Sequence, residues 1–266
     1  MAKQDISTLR FSMYTLTGVV LVAGFIFTWH QVDRFLITNP RFVLQTHDDD
    51  SDGGIKLSGI HFASTDRIQT VFQKDTGRSI YRFPIEERRR NLLAVEWVKD
   101  ASVSRIWPNE IHVSVTERTP VAFALLPQSG PMPAMLVDED GVFLNLHESG
   151  KFKLPVVRGL RTEQSEEDRK TRVRRFLRLQ REIGEHIDHI SEVDIANLDN
   201  LKITYPINNR AMILYLGHQH YASRLKKFLE NADEIQRRWP AARALDLRLE
   251  DRITTVQDME GVQRGG

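Results

Sequence analysis

Residues 11–29, FSMYTLTGVVLVAGFIFTW, run for 19 positions without a charge. At ~1.5 Å rise per residue such a helix is about 28 Å long, close to the ~30 Å hydrocarbon core of a bilayer. No other stretch of the 266 residues approaches it. A cleaved signal peptide needs a short apolar core followed by a small-x-small site. Here Phe27-Thr28-Trp29-His30-Gln31-Val32-Asp33 closes the run with no pair of small residues, and Tyr14 and Trp29 stand near its ends as interfacial aromatics do. The run therefore reads as an uncleaved, single-pass anchor. Lys3 and Arg10 oppose Asp5 before it, and Arg34 and Arg41 oppose Asp33 after it, so the positive-inside bias is slight. The short N-terminal arm orients the chain, with residues 1–10 cytoplasmic and the mass beyond the helix extracytoplasmic.

The chain has no cysteine, which excludes a disulfide framework, a thiolate metal site and a cysteine nucleophile. A formal net charge of +1 gives no electrostatic case for nucleic acid. After the anchor, His47-Asp48-Asp49-Asp50-Ser51-Asp52-Gly53-Gly54 matches the opening of a calcium loop. The twelfth position of such a loop should be a bidentate glutamate, and here it is Gly59. Residues 31–54 therefore read as a linker ending in a solvated acidic spacer.

Residues 55–60 alternate as a strand. Ser64 offers an N-cap to a helix with Ile68, Val71 and Phe72 on one face, and Gly77 is placed at its C′ position. Pro84 suits the first position of a second helix, with Glu86 and Glu87 in the first turn where the macrodipole favours anions. Residues 101–105 and 111–116 alternate as two strands of a hairpin, with Pro108 expected at i+1 of the turn. The order over residues 55–118 is strand, helix, helix, strand, strand, enough for a small independent domain.

Residues 119–258 read as a larger α+β domain, mostly antiparallel sheet with two packed helices. Strands are expected at 120–125, at 135–144 as a hairpin turning at Asp140-Gly141, and at 154–157, 190–196, 201–205, 211–216, 245–249 and 253–257. One helix is expected over 163–187, with Val173, Phe176, Leu177, Ile183 and Ile187 at helical spacing. Its other side carries Arg169, Lys170, Arg172, Arg174, Arg178 and Arg181, read as a solvated face rather than a basic patch. A second helix is expected over 219–238, its stripe formed by Tyr221, Leu225, Phe228, Leu229, Ala232 and Ile235, stopped by Pro240. Residues 259–266 read as a disordered tail.

No nucleophile elbow, zinc-protease motif, phosphate loop or dinucleotide fingerprint occurs in the chain. His186 with His189, and His218 with His220, supply too few ligands for zinc and read as surface histidines. Asp138 and Asp140 suit a turn. Asp246 and Arg248 fall on one face of a strand and read as a structural ion pair. The sequence thus assigns no catalytic, cofactor-binding or metal residue and no small-molecule substrate.

The order of parts carries a resemblance. Gly77-Arg78-Ser79, Val95-Glu96-Trp97-Val98-Lys99-Asp100-Ala101, Val103-Ser104-Arg105-Ile106-Trp107-Pro108-Asn109, Glu117-Arg118-Thr119-Pro120-Val121-Ala122, Leu136-Val137-Asp138 before Gly141, Leu154-Pro155 before Gly159 and Asp246-Leu247-Arg248 occur in sequence. Together with the anchor they resemble the FtsQ/DivIB family of bacterial cell-division proteins, with a POTRA-like domain (polypeptide-transport-associated) followed by an FtsQ-type β domain. Family members often carry aromatics two residues before that aspartate and just after that arginine, where this chain has Ala244 and Leu249.

The resemblance implies a non-enzymatic membrane scaffold of the divisome. It implies placement in the inner membrane at the division site, binding of an FtsB/FtsL-like pair of small coiled-coil proteins, and other divisome components meeting the POTRA-like domain. A membrane-anchored cell-wall hydrolase is the alternative, and a POTRA-type outer-membrane assembly chaperone is a third reading weakened by the single POTRA-like unit. A final strand with no successor can accept a partner strand by β-augmentation. The candidate partner-binding residues are Leu245, Asp246, Leu247, Arg248, Arg252, Ile253, Thr254, Thr255 and Val256.

Overall fold

The structure is a computed structural model that describes residues 4–45, 53–127, 134–146, 150–207 and 210–256. The calcium-like run Asp48–Asp52 and the tail at 259–266 lie outside the described residues. The chain divides into two compact units, residues 1–117 and 118–266.

Helix α1 (Gln4–Thr38) extends the apolar run into the segment expected to be linker, because nothing between His30 and Thr38 breaks it. Asn39-Pro40 then stops it, since the residue before a proline is pushed out of the helical region. Asn39 Oδ1 accepts from Arg41 N at 3.0 Å and caps a short 3-10 turn. The stretch Met13–Thr38 is long and apolar enough to cross a membrane. Its Leu16, Leu21, Phe25 and Phe27 are all more than 60% exposed, as expected of a helix whose solvent is lipid.

The rest of the first unit is a three-stranded sheet in the order β1-β3-β2. Strand β1 (Gly54–Ser58) runs parallel to the central β3 (Glu110–Glu117), and β2 (Val98–Ile106) antiparallel to it. Alternation in β3 buries Ile111, Val113 and Val115 against Ile68 and Phe72 of α2 (Thr65–Phe72) and Leu92 of α3 (Ile85–Leu93). Three sequence expectations need correcting here. Helix α2 closes at Gln73, so Gly77 is not its C′ residue; its positive φ of 81° serves the next turn, where its amide donates to Leu44 O. Pro84 caps α3 rather than opening it. The Trp107–Pro108 bond in the hairpin turn is cis.

Glu117 closes this unit. Its carboxylate accepts from the amides of His61, Phe62 and Ala63 at 2.8, 2.9 and 2.7 Å, which satisfies three amides that no strand or helix pairs.

The second unit is a nine-stranded mixed sheet in the order β12-β11-β10-β9-β8-β7-β4-β5-β6. In chain order these are β4 (Pro120–Leu125), β5 (Ala134–Asp138), β6 (Phe143–Leu144), β7 (Val156–Arg158), β8 (Glu192–Asp194), β9 (Leu201–Ile207), β10 (Arg210–Gly217), β11 (Ala244–Asp246) and β12 (Thr254–Thr255). The pairs β4–β7, β7–β8 and β10–β11 are parallel, so the sheet is less uniformly antiparallel than the alternation implies. Helices α4 (Glu166–Ile183) and α5 (Tyr221–Glu230) pack their apolar stripes on it, burying Val173, Phe176, Tyr221, Leu225 and Phe228. Buried Asp138 holds the β5–β6 turn by accepting from the amides of Asp140 and Val142 at 3.0 and 2.8 Å, and pairs with Arg118.

Both helices are shorter than the periodicity suggests. Ser165 caps α4, and Gly184 (φ 56°) ends it, so residues 184–189 form a 3-10 turn that carries His186 and His189. The helix expected over 219–238 breaks at Asn231, whose side-chain amide donates to Lys227 O at 2.7 Å; α6 (Ala232–Arg238) follows as a separate helix. The cations of α4 are mostly used inside the unit. Arg169 donates to Gly141 O at 2.8 Å, Arg172 to Ile195 O at 3.1 Å and Arg175 to His218 O at 2.7 Å, while Lys170 pairs with Asp140 at 2.8 Å. These side chains satisfy loop carbonyls more than they form a solvated face.

Candidate functional site

The end of the sheet formed by β10, β11 and β12 is where the candidate residues gather. Ile213 N donates to Arg243 O at 2.9 Å and Leu247 N donates to Tyr215 O at 3.1 Å. Odd-numbered residues of β11 therefore turn their backbone groups toward β10, and Asp246 turns its own toward β12. Asp246 is paired in register with Thr254. The amide of Thr254 consequently faces β11, and by alternation the backbone of Ile253 faces away from the sheet. Strand β12 is last in the strand order.

The side chains follow the same alternation. Leu245 and Leu247 are fully buried on the helix-covered face, and Asp246 is 1% exposed on the other. These three form the base of the site and present no side chain to a partner. Arg248 reaches back over Asp246, with Nε 2.9 Å from Oδ1 and Nη2 2.5 Å from Oδ2. Burial pushes the Asp246 carboxyl up, but the hydrogen bonds from the Arg248 side chain and amide outweigh it and hold the carboxyl below its ordinary value. The same pairing raises Arg248. Across the strands, Asp194, Lys202, Tyr215, Asp246 and Thr254 fall in one row by register. Lys202 and Arg248 both lie over the Tyr215 ring, at 4.9 and 6.0 Å. The Arg248 side chain remains 38% exposed, so this polar row ends in an accessible guanidinium.

Arg252 is exposed, Ile253, Thr254 and Val256 are half-buried, and Thr255 is buried. Lys227 Nζ donates to Glu250 O at 2.8 Å, and Arg224 donates to Arg248 O at 3.1 Å. Helix α5 thus holds the connection between β11 and β12 in place. Beside β12 opens a cavity of about 500 Å³, lined by Ile235, Arg238, Trp239, Arg252, Ile253 and Thr254 among others. Arg238 stacks over the Trp239 ring at 5.0 Å. Sequence reasoning missed Trp239 and Arg238. The signal was available: a Trp-Pro pair closing an apolar helical stripe whose last member, Ile235, also lines the cavity. The arrangement is an edge strand with a backbone rail, a side pocket and an adjacent cation, which is the equipment of peptide recognition.

The other candidates are dispersed. His218 and His220 belong to the turn before α5, where His220 adopts a left-handed conformation (φ 59°). His186 and His189 are exposed. Among the described residues no group of three or more His, Asp or Glu side chains is arranged to hold a metal ion.

Residues 53–118 match the family model described as a POTRA domain of the FtsQ type. A Koribacter versatilis protein named cell division protein FtsQ is 29% identical to the chain over 263 residues, covering 97% of this chain and 72% of that one. The chain is similar to FtsQ proteins along nearly its whole length. An FtsQ of Salinibacter ruber is 29% identical over 169 residues, covering 60% of this chain and 64% of its own length. An FtsQ of Bordetella pertussis is 33% identical over 63 residues, 24% of this chain. The first unit thus carries an FtsQ-type POTRA domain, and the α+β class with a large second sheet is the observed fold.

Proposed function

We propose that this chain is an FtsQ-type cell-division scaffold, anchored in the inner membrane by α1, with the POTRA domain and the second unit outside the cytoplasm. It acts without catalysis, and its partner is an FtsB/FtsL-like pair captured at β12, linking that pair to other divisome components. The observation that carries this reading is the edge itself: β12 ends the sheet, its register turns the Ile253 backbone outward, and a pocket with Trp239 opens beside it. A partner strand laid along β12 would place alternate side chains in that pocket, and an acidic residue on it would meet Arg248 or Arg252. Leu245, Asp246 and Leu247 shape the edge from within. Thr255, with Val256, belongs to the strand end.

The test separates rail from packing. Ile253→Pro removes an outward donor and fixes the local backbone, whereas Ile253→Val keeps the amide and most of the contact area. Ile253→Pro is expected to lower capture of an FtsB-like partner by at least tenfold, the equivalent of one or two main-chain hydrogen bonds. Ile253→Val is expected to change it little, and thermal midpoints should stay close together. Equal capture by both variants would place the interface elsewhere.

A further inference from the structure

Where α1 leaves its apolar run, the first unit folds back onto it. Asp33, four residues past Trp29, pairs with Arg82 at 3.1 Å. The Leu36 carbonyl accepts from buried Ser79 Oγ at 2.6 Å. The Phe35 ring meets Phe42 edge-on at 5.9 Å, and Phe42 meets Trp107 in the same way at 5.3 Å. At ~1.5 Å rise per residue, these contacts begin about 6 Å beyond Trp29. The polar headgroup layer occupies about 5–7 Å on each side of the hydrocarbon core. On the reading of α1 as a membrane anchor, on which this inference rests, the unit is fastened within a headgroup's reach of the bilayer.

The chemistry of that surface suits phosphate-bearing lipid. A cavity of about 560 Å³ opens beside the helix exit, lined by Ile37, Arg78, Ser79, Arg82, Phe83 and Arg88 among others. The acids there are engaged: Asp33 with Arg82, and Asp75 and Glu87 with Arg88. Arg34, Arg41 and Arg78 are exposed, with no ion-pair partner among the described residues. On the Phe42 side, Ile106 and Trp107 at the hairpin tip are 42% and 50% exposed. An apolar pair ending in an indole is poorly placed in water and well placed at a headgroup boundary.

We propose that this face of the POTRA unit binds the anionic phospholipid surface from which α1 emerges. A lipid phosphate is held by Arg78 and Arg82, Arg34 and Arg41 flank it, and Ile106 and Trp107 lie at headgroup level. The consequence is a POTRA unit held against the bilayer at fixed height.

The absence of native cysteine makes single-site labelling clean. Full-length chain carrying Ile106→Cys or Val20→Cys, each with an environment-sensitive fluorophore, is reconstituted in vesicles of phosphatidylcholine alone or with phosphatidylglycerol. Headgroup-linked quenchers report the Ile106 position and acyl-chain quenchers the Val20 position. The expected result is acyl-chain quenching at Val20 in both lipids, and headgroup quenching at Ile106 that rises with phosphatidylglycerol. The rise should fall about fivefold for each arginine replaced in Arg78→Gln and Arg82→Gln. A water-exposed Ile106 probe in both lipids, with Val20 inserted, would overturn this inference and leave the anchor standing. A Val20 probe outside the bilayer would overturn both. A phosphatidylglycerol response unchanged in the arginine variants, with circular dichroism showing them folded, would overturn the assigned phosphate site.

Discussion

Val113→Asp is expected to unfold the POTRA unit while leaving the second unit folded. Val113 is 1% exposed at the middle of β3, the central strand of a three-stranded sheet, and pairs in register with Leu57 on one side and Val103 on the other. A carboxylate there has no cation within the layer formed by Ile68, Phe72 and Leu92, so it is buried unpaired or protonated, and either costs several kcal/mol. A domain this small has little stability to lose. Val113→Ala, which only removes methyl groups, should cost about 1–3 kcal/mol and leave the unit folded at low temperature. Denaturant unfolding followed by tryptophan fluorescence checks this, since Trp97 is 4% exposed within the same unit. An Asp variant with a transition close to that of the Ala variant would mean that β3 does not pack as described.

Asp75→Ala is expected to cost about 3–5 kcal/mol, because it leaves a buried guanidinium without its main counterion. The Arg88 side chain is 9% exposed and that of Asp75 3%. Arg88 holds Asp75 through both oxygens, Nε to Oδ2 at 2.5 Å and Nη2 to Oδ1 at 3.0 Å, with Glu87 on its remaining nitrogen at 2.8 Å. The hydrogen bond to Asp75 raises the Arg88 pKa above its ordinary value; with Asp75 gone, the guanidinium still keeps its proton because arginine is intrinsically a very weak acid. The pair ties the turn after α2 to α3. Replacing both partners by leucine removes charge and counter-charge together and is expected to recover most of the loss. Thermal unfolding of Asp75→Leu, Arg88→Leu and the double variant forms a double-mutant cycle, and additive losses, with no coupling between the two positions, would show that the pair acts through packing alone.

Much of this was legible in the sequence because burial imposes a period. The alternation of Ile111, Val113 and Val115 fixed a strand, and the uncharged run before Trp29 fixed the anchor. Asp246 and Arg248, two apart in the stretch expected as strand 245–249, do meet, although β11 ends at Asp246 and Arg248 reaches back from the loop that follows. The misread features are those set by single side chains against local backbone. The Asn231 amide, bonded back to Lys227 O, divides one apolar stripe into two helices. The α4 arginines look solvent-directed by charge, yet three of them reach loop carbonyls that lie far away in sequence. The pocket at Trp239 depends on α6 meeting the β12 end, a contact that periodicity does not encode.

On the proposed function, the outer edge of β12 takes a partner strand in the dividing cell. The direct measurement is site-specific photo-crosslinking from position 253 in the full-length, membrane-embedded chain, with position 104 on the exposed face of β2 as comparison. A discrete adduct is expected at 253 with a small single-pass coiled-coil protein of the FtsB/FtsL kind, appearing in dividing cells and lost in competition with that partner's extracytoplasmic peptide. No adduct at 253, with that same partner captured from position 104, would contradict it.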